Sequence, residues 1–365
     1  VKISETSPLR VGQGFTMKGS GASSGSQNLT FVGKPNNGTI TTNSVGSDQL
    51  LLTGNPYPSA IDADKFILAN INSNLNTGSN KIIDGTLYFW THIGDISNTN
   101  GGPDGLNFST NDYAVYTLAG GVGTSGNIIN GNPQNSNKPN GFIASGQGFF
   151  VEADNAGTLL FNNSMRVGTE TKNNQFYKVQ SNKSKTTTAS KDRLWLNLQN
   201  TSNLFSQQLI GYFDNASLGY DNGYDGPFSN AGNAINFYSF IEDTTYKIQG
   251  RSSFDENDRV RLGYSSNIAG TFTIAIDTKE GVFTSTNQAV YIEDKVTNTI
   301  FNLKNGSYNF TTEKGTFNDR FILRYTDKTL GLDEVNHNEA IVVFYSNNYK
   351  TVIIKNNSDA IINSV

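Results

Sequence analysis

The chain has no cysteine. That excludes a disulfide framework, thiolate-ligated metal and a cysteine nucleophile. It has two histidines, His92 and His337, in unrelated contexts, too few and too scattered for a zinc or iron centre. A serine triad would have to use one of these two. No Gly-x-Ser-x-Gly elbow stands between a strand and a helix, and the nearest stretch, Gly19 to Gly25, reads as a loop. His92 reads as a packed or rim histidine. Charged residues are 16% of the total and the net charge is −4, so a concentrated basic surface for nucleic acid is not expected. No apolar run of about 18 residues exists to span a bilayer. The first residue is Val1 and no leader pattern follows, so the chain is expected to be a processed or excised piece.

The chain is rich in aromatic side chains, with 23 Phe and 16 Tyr in an otherwise polar sequence. Disordered chains lack such side chains, and aromatic and β-branched residues suit a pleated, half-buried surface. Strand-like runs occur at 50–52, 86–90, 113–118, 194–198, 271–276, 289–292 and 321–325, separated by Gly, Asn and Asp. Asn37-Gly38, Asn222-Gly223 and Asn305-Gly306 are turn dipeptides that tolerate positive φ. One helix is expected, from Ser59 to Ile71 after Pro58, with Ser59 or Asp62 as N-cap and Ala60, Ala63, Phe66, Ile67 and Asn70 on neighbouring turns. The fold class is therefore all-β. Tandem β-sandwich domains, jelly-roll or Ig-like, are expected with one short helix.

Domain limits follow from composition. Residues 1–171 form a β-rich part, 172–191 a Lys/Ser/Thr-rich linker or long loop, 192–326 a second sandwich, and 327–338 a second linker. From 339 to 365, two apolar runs flank Ser346-Asn347-Asn348 as a hairpin, and too little follows to close a seven-stranded sandwich. Gly12-Gln13-Gly14-Phe15 recurs as Gly146-Gln147-Gly148-Phe149, each leading into a strand. With no helix behind either copy to present its N-terminus to a phosphate, both read as hairpin bends.

The carboxylate pairs Asp62/Asp64, Glu152/Asp154 and Asp221/Asp225 are adjacent in sequence, whereas glycosidase pairs face each other from separate elements. Capping and strand-end roles fit them better. Hard oxygen ligands make calcium the ion to consider. Asp221 and Asp225 are its best candidates and Asp95 to Asp104 a second segment, but neither matches a calcium loop and Asx-turn chemistry is favoured. Trp90 and Tyr224 are the candidate glycan contacts, within a wider set of Tyr88, Phe89, Tyr212 and Tyr220.

Several segments in order resemble one family. They are Leu52 to Asp64, Gly85 to His92, Asn111 to Ala114, Ala144 to Val151, Phe161 to Val167, Arg193 to Leu198, Tyr246 to Arg251 and Gly315 to Thr326. Together they are similar to the C-terminal region of large Bacteroidota proteins exported by the type IX secretion system, among them cell-surface adhesins and proteins linked to gliding motility. The resemblance implies a non-enzymatic, β-rich module that spaces or presents an N-terminal part. It also implies that the hairpin containing Val342, Val343, Phe344, Val352, Ile353 and Ile354 opens a type A sorting domain. That Ig-like signal for protein transport engages the outer-membrane translocon and its shuttle β-barrel. It is normally removed when the protein is released or anchored at the surface. The family's later Tyr-Asp…Gly-Arg and Lys-bearing strands are not in this sequence, so the sorting domain is expected to be incomplete here. Asp243-Thr244-Thr245 also resembles the O-glycosylation pattern of those bacteria. A secreted, cell-surface location without a membrane span is implied. The alternative is a lectin-like carbohydrate-binding sandwich with surface glycans as partners.

Overall fold

A computed structural model describes residues 10–16, 32–90, 113–123, 126–127, 138–168, 191–201, 204–228, 233–327, 341–346 and 350–356. The chain forms two compact units, Val1–Tyr325 and Thr326–Val365. Among the described residues no helix is long and apolar enough to cross a membrane.

The first unit is all-β and sandwich-like. Its first part contains β1 (Ile40–Val45), β2 (Gln49–Gly54), β3 (Ile61–Asp62), α1 (Ala63–Asn70), β4 (Ile83–Trp90), β5 (Tyr113–Thr117), β6 (Gly120–Val122), β7 (Gly126–Asn127), β8 (Phe142–Ile143), β9 (Gly148–Ala153) and β10 (Gly157–Phe161). A five-stranded antiparallel sheet runs in the order β2-β9-β4-β5-β6, while β1 pairs with β10 and β3 with β8. Helix α1 starts later than the sequence predicts, because Ile61 and Asp62 pair with Ile143 and Phe142 as a strand. The Asp62 side chain then caps the helix by accepting from Lys65 N. Ala63, Phe66, Ile67 and Asn70 are buried, so the expected face is the one that packs. Phe66 meets Phe149 and Phe161 at centroid distances of 5.2 and 4.9 Å.

The second part contains β11 (Asp192–Asn200), β12 (Leu204–Tyr212), β13 (Gly226–Pro227), β14 (Ile235–Ile241), β15 (Thr244–Arg251), β16 (Arg259–Ser266), β17 (Gly270–Glu280), α2 (Val282–Ser285), β18 (Tyr291–Asp294), β19 (Thr299–Asn302), β20 (Tyr308–Thr312) and β21 (Gly315–Arg324). Ten strands form one path, β19-β18-β21-β16-β14-β15-β12-β11-β17-β20, with β13 on β15 and β7 on β12. Leu196 of β11, Ile274 of β17, Leu262 of β16 and Leu323 of β21 belong to one buried cluster. Residues so far apart along the path share a core only if the sheet turns back on itself, as in a sandwich. The β14–β15 hairpin turns tightly, with Glu242 at φ 53°. Along β17, Phe272 and Ile274 are buried while Thr271 is exposed and Thr273 half-buried, the predicted alternation of dry and wet faces.

The two parts share a core. Trp195, Leu209, Tyr224 and Ile248 lie in the same buried cluster as Leu87, Val115 and Leu118. Trp195 Nε1 donates to Gly121 O at 2.9 Å, Arg193 Nη1 to Ala119 O at 2.9 Å and Lys191 Nζ to Leu118 O at 3.0 Å. The segment expected to link them, 172–191, lies outside the described residues except for Lys191.

In the second unit, β22 (Ile341–Ser346) pairs antiparallel with β23 (Thr351–Asn356), Val343 opposite Ile354 and Tyr345 opposite Val352. Val343, Tyr345 and Val352 are exposed, and these cross-strand pairs put them on one face.

Candidate functional site

Strand alternation sorts the five-stranded sheet into two faces. Leu87, Phe89, Phe149 and Val151 point into the core. Tyr88, Trp90, Tyr113, Phe150, Glu152, Leu50 and Leu52 occupy the other face, because Trp90 pairs with Tyr113, Tyr88 with Phe150, Leu52 with Phe150 and Leu50 with Glu152. Part of this face is covered. Thr86 Oγ1 donates to Asp225 O at 3.4 Å and Thr117 Oγ1 to Tyr224 O at 3.1 Å. Val115 sits under Gly226. Elsewhere on this face the described side chains are partly or largely exposed. Trp90 is 42% exposed and Leu50 62%, with Tyr88, Tyr113 and Phe150 half-buried. Tyr113 meets Phe150 edge-on at 5.8 Å.

On β9, Gly148 pairs with Gly54 of the next strand. Gly148 is exposed. It belongs to the second Gly-Gln-Gly-Phe copy, and the two copies make the same turn. Gly12 and Gly146 adopt φ 79° and 71°. Gln13 and Gln147 each accept with the side chain from the backbone N–H three residues earlier, Arg10 at 3.3 Å and Ala144 at 3.0 Å. Each copy then bonds to β2, through Gly14 N to Leu52 O and Asn55 N to Gln147 O. The repeat thus frames β2. Asn55 fixes the adjoining Asn-Pro-Tyr-Pro turn by donating to Ser59 O, Ile143 O and Ala144 O, bonds that two prolines without N–H groups cannot make.

One end of the open face is acidic. Burial pushes the Asp84 carboxyl up to about 7, against the hydrogen bonds from Thr86 and aided by Glu152 and Asp154. The Tyr88 hydroxyl is held well above its ordinary value by burial, then by Asp84 and Glu152. Tyr220, 46% exposed, is raised by burial and then by Asp84, Asp154 and Asp225. Its ring lies 5.8 Å from Tyr246.

The loop 217–226 carries the calcium candidates. Asp221 Oδ2 accepts from Ser217 N and Oγ at 2.5 and 2.8 Å. The two oxygens of Asp225 accept from Asp221 N at 2.7 Å and Gly250 N at 2.8 Å. Both carboxylates thus cap loop donors, which is Asx-turn chemistry. Burial is the main cause that raises Asp225 to about 7. No group of three or more His, Cys, Asp or Glu suited to hold a metal occurs among the described residues. The loop is clamped by Asn222, which donates to Asn72 O at 2.9 Å and Asp154 Oδ2 at 2.6 Å.

Tyr224 does not reach the open face. It is 9% exposed, its ring lies 4.9 Å from Phe213, and its Cβ packs over Gly250. An aromatic next to a turn glycine closes the core here, which removes Tyr224 as a glycan contact and leaves Trp90. His92, His337 and Asp95 to Asp104 lie outside the described residues. Of the other carboxylates, Asp62 caps α1 and Asp64 accepts from the Tyr116 hydroxyl at 2.6 Å. Sequence reasoning missed Gly148, Tyr113, Phe150 and Asp84. Period-two alternation from Trp90 and across the repeat was the signal that would have found the first three.

Among known families, residues 2–325 match the one described as a domain of unknown function, DUF8693. No curated protein and no solved structure matches.

Proposed function

Because the chain belongs to the DUF8693 family, whose description carries no activity, we propose its role from its own architecture. It is a non-catalytic C-terminal module of a type IX-exported cell-surface protein. The β body up to Tyr325 spaces or presents an N-terminal part, and the hairpin from Ile341 begins the export signal. The observation that carries this reading is the hairpin itself. It pairs in the expected strands within a compact unit of its own and shows Val343, Tyr345 and Val352 to solvent. An isolated two-stranded hairpin is marginal in water, so an apolar face of this kind supports a role in being recognised or completed by other structure. The partners are the outer-membrane translocon and its shuttle barrel, and the destination is the cell surface.

The test is export of the parent protein from its own host with residues 339–365 deleted, and separately with Val343→Lys and Val352→Lys. Retention inside the outer membrane, with the β body still protease-resistant, is expected. Normal appearance of the deleted protein at the surface would refute the proposal.

A further inference from the structure

Six Asn-Gly pairs occur in the sequence, four of them among the described residues, at 37/38, 140/141, 222/223 and 305/306. Glycine carries no side chain to crowd its own backbone nitrogen, so in such a pair that nitrogen can attack the carboxamide of the asparagine before it. The fold decides which pair reacts, and three of the four are tied. Asn37 Oδ1 accepts from Arg166 Nη1 at 3.1 Å while Gly38 N donates to Asn163 Oδ1 at 3.1 Å, which engages both carboxamide and nucleophile. Asn140 Oδ1 accepts from Phe142 N at 3.2 Å. Asn222 Nδ2 donates to Asn72 O and Asp154 Oδ2 at 2.9 and 2.6 Å, and Gly223 is buried against Ile71 and Leu118. The fourth pair lacks such ties. Asn305, Gly306 and Ser307 are all exposed. Asn305 ends the short 3₁₀ turn Leu303–Asn305, and its carboxamide has no hydrogen-bond partner among the described residues. Gly306 N reaches Leu303 O only at 3.4 Å, and nothing lies within 4 Å of where a Cβ would stand on Gly306.

We propose that Asn305 is a site of spontaneous covalent modification, deamidation through a succinimide, and that the fold directs this chemistry to it; the proposal is independent of the export reading. Gly306 N loses its proton to base and attacks Asn305 Cγ. The new C–N bond forms, the Cγ–Nδ2 bond breaks, and ammonia leaves with a proton from water. Water then opens the five-membered ring. Attack at the side-chain carbonyl leaves aspartate, and attack at the main-chain carbonyl leaves isoaspartate, whose backbone runs through Cγ. The net change is one amide and one water converted to one acid and one ammonia, with no oxidation and no co-reactant besides water. Each event places a negative charge in the turn that leads into β20, an end strand of its sheet path, and the isoaspartate form lengthens the backbone there by one methylene.

The full chain is held folded at neutral and at mildly alkaline pH and digested at intervals. Mass spectrometry reads amide-to-acid conversion at the four asparagines, and electron-transfer fragmentation separates aspartate from isoaspartate. Conversion at Asn305 is expected to lead, to quicken with pH because the attacking nitrogen must be deprotonated, and to yield both products. Conversion at Asn37, Asn140 and Asn222 should be slower by about tenfold or more, since their hydrogen bonds must open before the ring can close. In concentrated urea those ties are gone and the four rates should draw together. Asn305→Gln, which would have to close a larger ring, should abolish conversion at 305 and, being an exposed change, keep a melting temperature near wild type. No conversion at Asn305 in the folded chain, or conversion at any of the other three at an equal or greater rate, would overturn the proposal.

Discussion

Lys247 of β15 is buried, and replacing it with Met should make the protein more stable at neutral pH while removing a distinctive pH dependence. Its amine is 2.6 Å from Ser206 Oγ and 3.4 Å from Phe237 O. Burial alone lowers its pKa from 10.5 to about 7. In the unfolded chain the amine stays protonated to about 10.5, whereas in the folded chain it releases its proton near 7. Between these values the unfolded state binds more protons, so unfolding free energy rises with pH across that window and is flat outside it. At about 1.36 kcal/mol per pKa unit, the ceiling on the effect is about 5 kcal/mol, and water penetration will reduce it. Met fills a similar volume with no charge to desolvate, and Ser206 keeps its bond from Phe237 N at 3.0 Å. Urea denaturation of both proteins from pH 6 to 10.5 reads the difference directly. The Met variant should lead by the largest margin near pH 6, and the margin should shrink by several kcal/mol as the wild-type amine becomes neutral in the folded state. Parallel wild-type and variant curves over that range would refute the reasoning.

The acid side carries the opposite slope. The folded pKa of Asp84, about 7 against 3.8, means the unfolded state loses its proton first, so stability falls as pH rises between these values, by at most about 4 kcal/mol. Asp84→Asn keeps the acceptor for Thr86 N, 2.9 Å away in the wild type, and should flatten that slope in urea midpoints measured from pH 4 to 8; an unchanged slope would show the charge is not what is buried. Gly223→Ala should cost about 2–3 kcal/mol, because φ is +87° and the new Cβ would lie 2.3 Å from Ile71 Cδ1. Gly38→Ala, at φ +82° with open space around it, should cost only about 1 kcal/mol, and equal losses in thermal melts would remove the packing explanation. Because Trp195 and Leu209 sit in the first part's core, residues up to 325 should unfold in one calorimetric transition that Trp195→Ala lowers as a whole; two transitions, only one of them shifted, would mean the shared core does not couple the parts.

Much of the fold was legible because its signals are local. Runs such as 194–198 and 271–276 carry strand propensity with turn residues at their ends, and β11 and β17 contain them. The face of α1 was legible from the spacing of Phe66, Ile67 and Asn70. Its start was not, since whether Ile61 begins a helix or pairs with Ile143 depends on a segment 82 residues away. Tyr224 illustrates the same limit. Exposed and buried tyrosines have the same local sequence character, and what buries this one is Phe213 and the backbone of Gly250, neither of which its neighbours in the chain announce. The Gly-Gln-Gly-Phe repeat was visible as a bend. That its second glycine pairs with Gly54 of β2 follows only from strand register.

That register is also what makes the repeat more than two similar bends. In each copy a positive-φ glycine and a glutamine folded back on its own turn leave a second glycine directly beside β2, one copy through Gly14 and the other through Gly148. A side chain at the first of these would meet Leu52 at 2.6 Å and Thr53 O at 2.9 Å, so Gly14 is required by packing. At Gly148 a Cβ finds ordinary contacts and φ lies outside the left-handed region, so packing alone does not require glycine there. The same four residues are therefore constrained by packing at Gly14 and not at Gly148.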